Sequence, residues 1–254
     1  MKFLIQTIDD KIVHDFSFEL LRAIEFQKWK NNSHIDVEFK NNFDSFQEIY
    51  KFDKYIPIGT VEFVSLFLKN IYGITPKPYN VPESLLHNDF TQRKVININL
   101  NDENFFYTFE KEFGLDKDVW IKSNDIIKSE YNDWYKIENI NIPAGNYQIS
   151  EEIEIESEWR AFIFQDKLVG LKNYSGSFEI MPSPKNIELI KYAIKKWNPR
   201  PIAGTLDFGI NEDKIFIIEA HDFFSCGLYG FSNYNILPAM FSQWFHEFIA
   251  NCYS

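Results

Sequence analysis

Cysteine and glycine are scarce in this chain, and several well-known motifs are missing. The two cysteines, Cys226 and Cys252, form neither a zinc framework nor a disulfide scaffold. Neither GxxxxGK(S/T) nor GxGxxG occurs, which argues against P-loop and dinucleotide-binding readings. There is no nucleophile elbow, and Cys226 has only His221 near it in sequence. No apolar run approaches the ~20 residues that a membrane-spanning helix needs. The opening MKFLIQTIDD is apolar too briefly and charged too early for a signal peptide, so a soluble, cytoplasmic protein is expected. Positive charge is in deficit: 26 Lys and Arg stand against 37 Asp and Glu, for a net charge of −11. Non-specific nucleic-acid binding needs a positive surface, so nucleic acid is not an expected partner.

Apolar bulk is plentiful. Hydrophobic residues make up 45% of the chain and aromatics 18%, with 26 Phe, which rules out a disordered chain. The 254 residues suffice for one large domain or two to three small ones.

Along the chain, Lys2–Ile8 reads as a buried strand and Phe16–Trp29 as a helix. Val37–Tyr50 is a second mixed segment. IPIGTVEFVSLFLKNIYG reads as a strand, a Thr60 N-cap and a helix ending near Gly73. Pro76, Pro78 and Pro82 then mark irregular chain and a boundary. Strands are expected at Lys94–Leu100, up to Lys122 and over Tyr147–Glu156. Helices are expected at Phe105–Phe113, Asn186–Trp197 and Ser232–Tyr253. The expected domains are an α/β unit over 1–90, a first α+β subdomain over 91–150 and a second over 151–254.

Two hairpins carry the informative pattern, because residues opposite one another in an antiparallel pair share a face. In IAGTLDFGINEDKIFIIEAHD, an odd loop placing Ile210 opposite Phe216 collects Leu206, Phe208, Ile210, Phe216, Ile218 and Ala220 on one apolar face. Thr205, Asp207, Gly209, Glu219 and His221 fall on the other, with Asp207 facing Glu219. In EWRAFIFQDKLVGLKNY, a Gln165–Asp166–Lys167 loop puts Ala161, Ile163, Val169 and Leu171 together and Arg160 opposite Lys172. Two facing cations call for an anion between them.

Paired carboxylates suit magnesium, but solvated carboxylates on an exposed sheet face give the same pattern. Lys122 closes an apolar strand, where it can reach a phosphate or simply snorkel. Lys128, in a loop, is a weaker candidate of the same kind. Arg160 sits mid-strand and requires a partner: Glu158 on its own strand, or a bound anion. His221, one strand period past Glu219, is a ligand, a base or a polar strand end.

The order of these pieces (WIKSND, YQISEEI, EWRAFI, LDFGI and IIEAHDFFSCGLYGF) resembles the ATP-grasp superfamily. More narrowly, it resembles a compact phage and bacterial clade named for one arginine and two lysines. The resemblance runs from about Ile56 to the C-terminus. It implies two α+β subdomains clasping ATP, with an antiparallel sheet in the C-terminal part. It implies Lys122 and Lys128 on phosphates, with Glu151, Glu152 and Ile153 at the adenine hinge. Arg160, with Lys172 nearby, would act at the transferring phosphoryl group, and Asp207, Glu219 and His221 would hold Mg2+. The implied reaction is ATP-dependent joining of a carboxylate to an amine on a small molecule, peptide or protein. The alternatives are an altered ATP-binding module working through a partner, or a kinase on the same scaffold. Two features depart from the family: E-x-H replaces E-x-N, where imidazole suits manganese or zinc better than magnesium unless His221 works on the acceptor instead, so Mn2+ stands beside Mg2+ as the expected ion, and KSNDIIKSEYND lacks glycine.

Overall fold

A computed structural model describes residues 1–41, 46, 49–52, 54–101, 105–114, 117–136, 141–212 and 214–253. Part of the mixed segment expected over 37–50 therefore lies outside the described residues. The fold is α+β, with three sheets among the described residues. β1 (Lys2–Thr7) is the centre of a parallel sheet, flanked by β2 (Asp36–Asn41) and β3 (Tyr55–Ile58). α1 (Asp15–Asn31), the short α2 (Ile49–Phe52) and α3 (Val61–Phe67) complete this unit. Thr60 caps α3 by accepting from the Phe63 N–H at 3.2 Å. A π-helical turn over Leu68–Tyr72 leads to Gly73, whose φ of 71° is the left-handed geometry that ends a helix.

After the one-turn α4 (Asn88–Thr91), the second sheet is antiparallel, in the order β4 (Val95–Asn99), β7 (Asn146–Glu151), β5 (Asp118–Ser123), β6 (Asp133–Lys136). α5 (Phe105–Phe113) covers its small core, in which Phe109, Val119, Ile121 and Ile149 are fully buried. The sequence reading did not anticipate β6. The third sheet, also antiparallel, runs β11 (Lys214–Asp222), β10 (Ala203–Asn211), β8 (Ser157–Phe164), β9 (Lys167–Gly176). One of its faces packs on α6 (Pro184–Lys196) through Ile190, Ala193 and Ile194. α7 (Leu237–Cys252) packs with α1, with the first sheet and with β10 of the third. It begins five residues later than expected, because turns occupy residues 234–236 before Pro238 starts the helix.

Both hairpins of the third sheet differ from the expected register in the same way. Their loops have two residues, not three. Phe164 pairs with Lys167 across Gln165 (φ 47°) and Asp166 (φ 66°), the positive-φ turn that matches strand twist. Asn211 pairs with Lys214, and Ile210 with Ile215 rather than Phe216. Each hairpin then inserts a bulged residue near its turn, Val169 or Ile218, which restores the alternation beyond it, and β9 bulges a second time at Tyr174. Near the turns the core positions therefore go to Leu168, Ile215 and Ile217. Phe216 moves to the opposite face, where its ring lies against Gly209. Beyond the bulges the expected pairs stand: Arg160 opposite Lys172, and Asp207 opposite Glu219.

The proline-rich stretch after Gly73 ties the second and third sheets together. The Ala220 N–H donates to the Asn80 carbonyl at 2.7 Å. The Asn80 amide donates to the Ser123 carbonyl at 2.9 Å. Gln148 brackets Val81, accepting from its N–H and donating to its carbonyl, both at 2.9 Å. This strap holds Lys122 of β5 facing Glu219 of β11.

Candidate active site

Alternation along β8, β10 and β11 turns Arg160, Asp207, Glu219 and His221 toward one face of the third sheet. Arg160 and Asp207 are directly paired neighbours in the β8–β10 ladder. The guanidinium forks onto the carboxylate, Nε to Oδ1 at 2.8 Å and NH2 to Oδ2 at 2.6 Å, while NH1 donates to the Gly227 carbonyl at 3.0 Å. Arg160 is 4% exposed and Asp207 0%. Its expected partner on the same strand, Glu158, accepts instead from the Tyr174 hydroxyl at 2.6 Å. Arg160 also lies against the stacked rings of Tyr174 and Tyr229, 5.1 Å from each centroid.

A second set of charges continues from Asp207. His221 Nε2 lies 3.5 Å from Asp207 Oδ2 and 3.1 Å from Glu219 Oε1, while Lys122 Nζ contacts Glu219 Oε2. The row therefore runs Lys122, Glu219, His221, Asp207, Arg160, with charges alternating along it. Burial alone would raise the Asp207 carboxyl, but the hydrogen bonds and charge of Arg160, with the nearby imidazole, hold it below its ordinary value. Burial likewise opposes ionisation of Glu219, but the charges of His221 and Lys122 outweigh it and hold the carboxyl well below its usual range. Desolvation would lower His221, but the two carboxylates push it up to about 9. Its Nε2 is buried between the two carboxylates, which raise the imidazole through both their charge, that of Glu219 first, and their close polar contact with the ring.

This row borders a cavity of about 350 Å3 between the second and third sheets. Trp120, Trp134, Ile153, Ile155 and Ile218 form its apolar wall. Lys122, Arg93, Glu158 and Glu219 line its charged part. Arg93 donates to the Ile217 carbonyl at 2.8 Å and lies over Phe216, and burial lowers its guanidinium to about 10. Two of the larger depressions, of about 450 and 480 Å3, run along α6; their lining is mainly surface lysines, glutamates and their neighbours, with no such row of buried charge.

The other expected site residues are placed as follows. Glu151 lines the cavity and accepts from the Lys94 N–H at 2.9 Å; Ile153 lines it as well, whereas Glu152 points to solvent. Lys172 is half-buried on the Arg160 face and makes no ion pair among the described residues. Lys128, at φ 53°, lies away from the cavity and pairs with Glu62 at 3.1 Å. Asp222 is turned to the opposite face of β11, where it accepts from Trp244 Nε1 at 2.9 Å. Burial pushes the Cys226 thiol up to about 12, so no thiolate nucleophile is available at neutral pH. The sequence reading missed Arg93, Trp120, Trp134, Gln148, Ser150 and Tyr174. Alternation could have found two of them: Trp120 is two residues before Lys122, and Tyr174 two after Lys172, on the same faces.

The donor set passes a simple test for a divalent cation. Asp207, Glu219 and His221 each turn one donor atom into a space where all lie within 4.8 Å of one another. The buried Nε2, without a hydrogen-bond partner, is the atom such an ion would satisfy.

Residues 90–239 match the model of the ATP-grasp domain, R2K clade family 2. No curated protein matches the sequence. Among solved structures, the fold is similar to D-alanine–D-alanine ligase from Bacillus anthracis (TM-score 0.57, 10% identity, 99% of each chain). The same enzyme complexed with ATP aligns with a TM-score of 0.53 at 11% identity, again over 99% of each chain. A RimK domain protein ATP-grasp from Sphaerobacter thermophilus aligns at 0.53 with 11% identity, over 98% of this chain and 100% of that one. With the family match spanning more than half of its length, the chain belongs to the ATP-grasp family, in family 2 of the R2K clade.

Proposed function

We propose that the protein is a cytoplasmic ATP-dependent carboxylate–amine ligase whose substrate is an amino acid, peptide or protein. The observation that carries this reading is the alternating charged row beside an apolar cleft between two sheets. Adenine fits the apolar wall near Glu151 and Ile153, with the phosphates toward Lys122. Asp207, Glu219 and His221 are the residues that would hold a divalent cation, which supplies charge neutralisation for the phosphates when bound.

In the reaction, a substrate carboxylate oxygen bonds to the γ-phosphorus and the bridging bond to ADP breaks. An amine nitrogen then bonds to the acyl carbon, the carbon–oxygen bond to phosphate breaks, and the amine loses a proton. Such chemistry needs positioning and neutralisation of charge, not a protein nucleophile. Lys122 is placed to hold phosphate oxygens as a point charge. Arg160, fixed by Asp207, presents its field from one side, and Lys172 adds a cation at the sheet edge that no carboxylate among the described residues pairs with. The acidic surface and the sheet-bound row favour small-molecule, peptide or protein acceptors over nucleic acid.

Screening amines and carboxylates for ADP and phosphate release tests the reading. A ligase releases both only when carboxylate and amine are present together. ADP release with phosphate retained on the substrate identifies a kinase instead. The Arg160–Asp207 fork favours one second reading, a nucleotide-binding module without turnover, because each of the three guanidinium nitrogens already donates to a protein oxygen, which leaves one N–H on each terminal nitrogen. That reading predicts metal-dependent ATP binding with no ADP formed under any acceptor.

A further inference from the structure

We infer that His221 tunes the metal position for manganese(II) over magnesium. The inference rests on the ligase reading only in taking the metal to arrive with a nucleotide; the preference itself follows from the donor atoms. Asp207 uses Oδ1 for Arg160 Nε, leaving Oδ2, which is shared with Arg160 NH2, toward His221. Glu219 uses Oε2 for Lys122, leaving Oε1. Each carboxylate thus turns one oxygen to the site, and the third donor is a ring nitrogen.

A third oxygen from the end of this strand is not on offer. The next carboxylate, Asp222, faces away, is 3% exposed and is tied to Trp244. His221 Nε2 is buried between the two oxygens without a hydrogen bond, an arrangement that is unfavourable until a proton or a metal fills it.

Magnesium takes oxygen ligands and keeps its water, so an imidazole in a three-donor set weakens its hold. Manganese(II) shares magnesium's octahedral geometry and its carboxylate, phosphate and water oxygens, but as a first-row transition ion it loses less than magnesium when one donor of the set is a nitrogen. The site is therefore a two-oxygen, one-nitrogen centre in which the nitrogen discriminates between the two ions.

Calorimetric titration of the purified protein with MnCl2 and with MgCl2, with and without ATP, tests this. Pulsed electron paramagnetic resonance of the Mn2+ form is recorded alongside. The expected result is Mn2+ affinity at least about tenfold above that for Mg2+, with 14N modulation from one imidazole. In His221→Asn that modulation disappears and the gap closes. The wild-type spectrum alone decides the ligand, so the inference does not depend on the variant folding. Equal affinities for the two ions, or Mn2+ bound without nitrogen coupling, would overturn it. The ligase reading fails separately, if ATP does not bind with either metal; nitrogen-coupled Mn2+ binding tighter than that of Mg2+ would then still uphold the inference.

Discussion

In the third sheet, β8 and β10 are buried along almost their whole length; in the second, β4 alternates between buried or half-buried and exposed positions and β6 is mostly open to solvent. The charged groups follow this difference. The third sheet holds Arg160, Asp207, Glu219 and His221 in mutual contact, with strands packed on α6 behind them. The second sheet contributes one lysine, two half-exposed or exposed tryptophans and a thin core under α5. A buried charge must be paired where it sits, so the third sheet builds a fixed floor. Among the described residues the Lys122–Glu219 contact is the one ion pair between the two sheets, and on the proposed reading Lys122 would exchange this partly exposed partner for a phosphate. On the proposed reading the cleft joins a closely packed side, suited to orienting reacting groups, to a more open side from which the nucleotide would be held.

Substitutions on the two sides should differ in kind. Asp207→Asn strands the Arg160 charge and should cost about 3–5 kcal/mol of stability, as well as turnover. Urea denaturation measures this, and a loss below about 1 kcal/mol would mean the floor is not held by that fork. On the other side, Lys122→Met should leave stability nearly unchanged while weakening ATP binding by about 1.5–3 kcal/mol, read by calorimetry. Equal damage to stability from both substitutions would erase the distinction. His221 gives a pH signature. Its folded-state pKa of about 9 lies above the ordinary value of 6.5, so it stabilises the metal-free fold fully below pH 6.5 and loses that contribution as pH rises through about 9. The stability gap between wild type and His221→Asn should therefore shrink between pH 6 and pH 10. The smallest effect is expected at Lys128→Ala, because its partner Glu62 is exposed and the pair lies outside the cavity. Less than about 1 kcal/mol should change in either stability or ATP affinity. A loss matching that of Lys122→Met would place Lys128 on the phosphates.

Much of the floor was legible before any coordinates. Alternation put Asp207, Glu219 and His221 on one polar face and set Arg160 against Lys172, and these relations hold. The loop lengths behind them did not. A two-residue turn plus a bulge has the same parity as a three-residue loop, so the error cancelled beyond Val169 and Ile218 and persisted only near the turns. The partner of Arg160 was out of reach for a different reason. β8 and β10 are adjacent in the sheet but separated in sequence by β9 and α6, and no local pattern announces a pairing across 47 residues. The Lys122–Glu219 contact spans 97 residues and depends on the Asn80–Val81 strap, which from its prolines read only as a boundary.

The most direct test is a crystal structure with Mn2+ and a non-hydrolysable ATP analogue. The triphosphate is expected between the two sheets, with Lys122 moved from Glu219 to a phosphate oxygen and the ion bound by Asp207, Glu219 and His221. Arg160 should remain forked on Asp207. Nucleotide bound elsewhere, with Lys122 still on Glu219, would contradict the account.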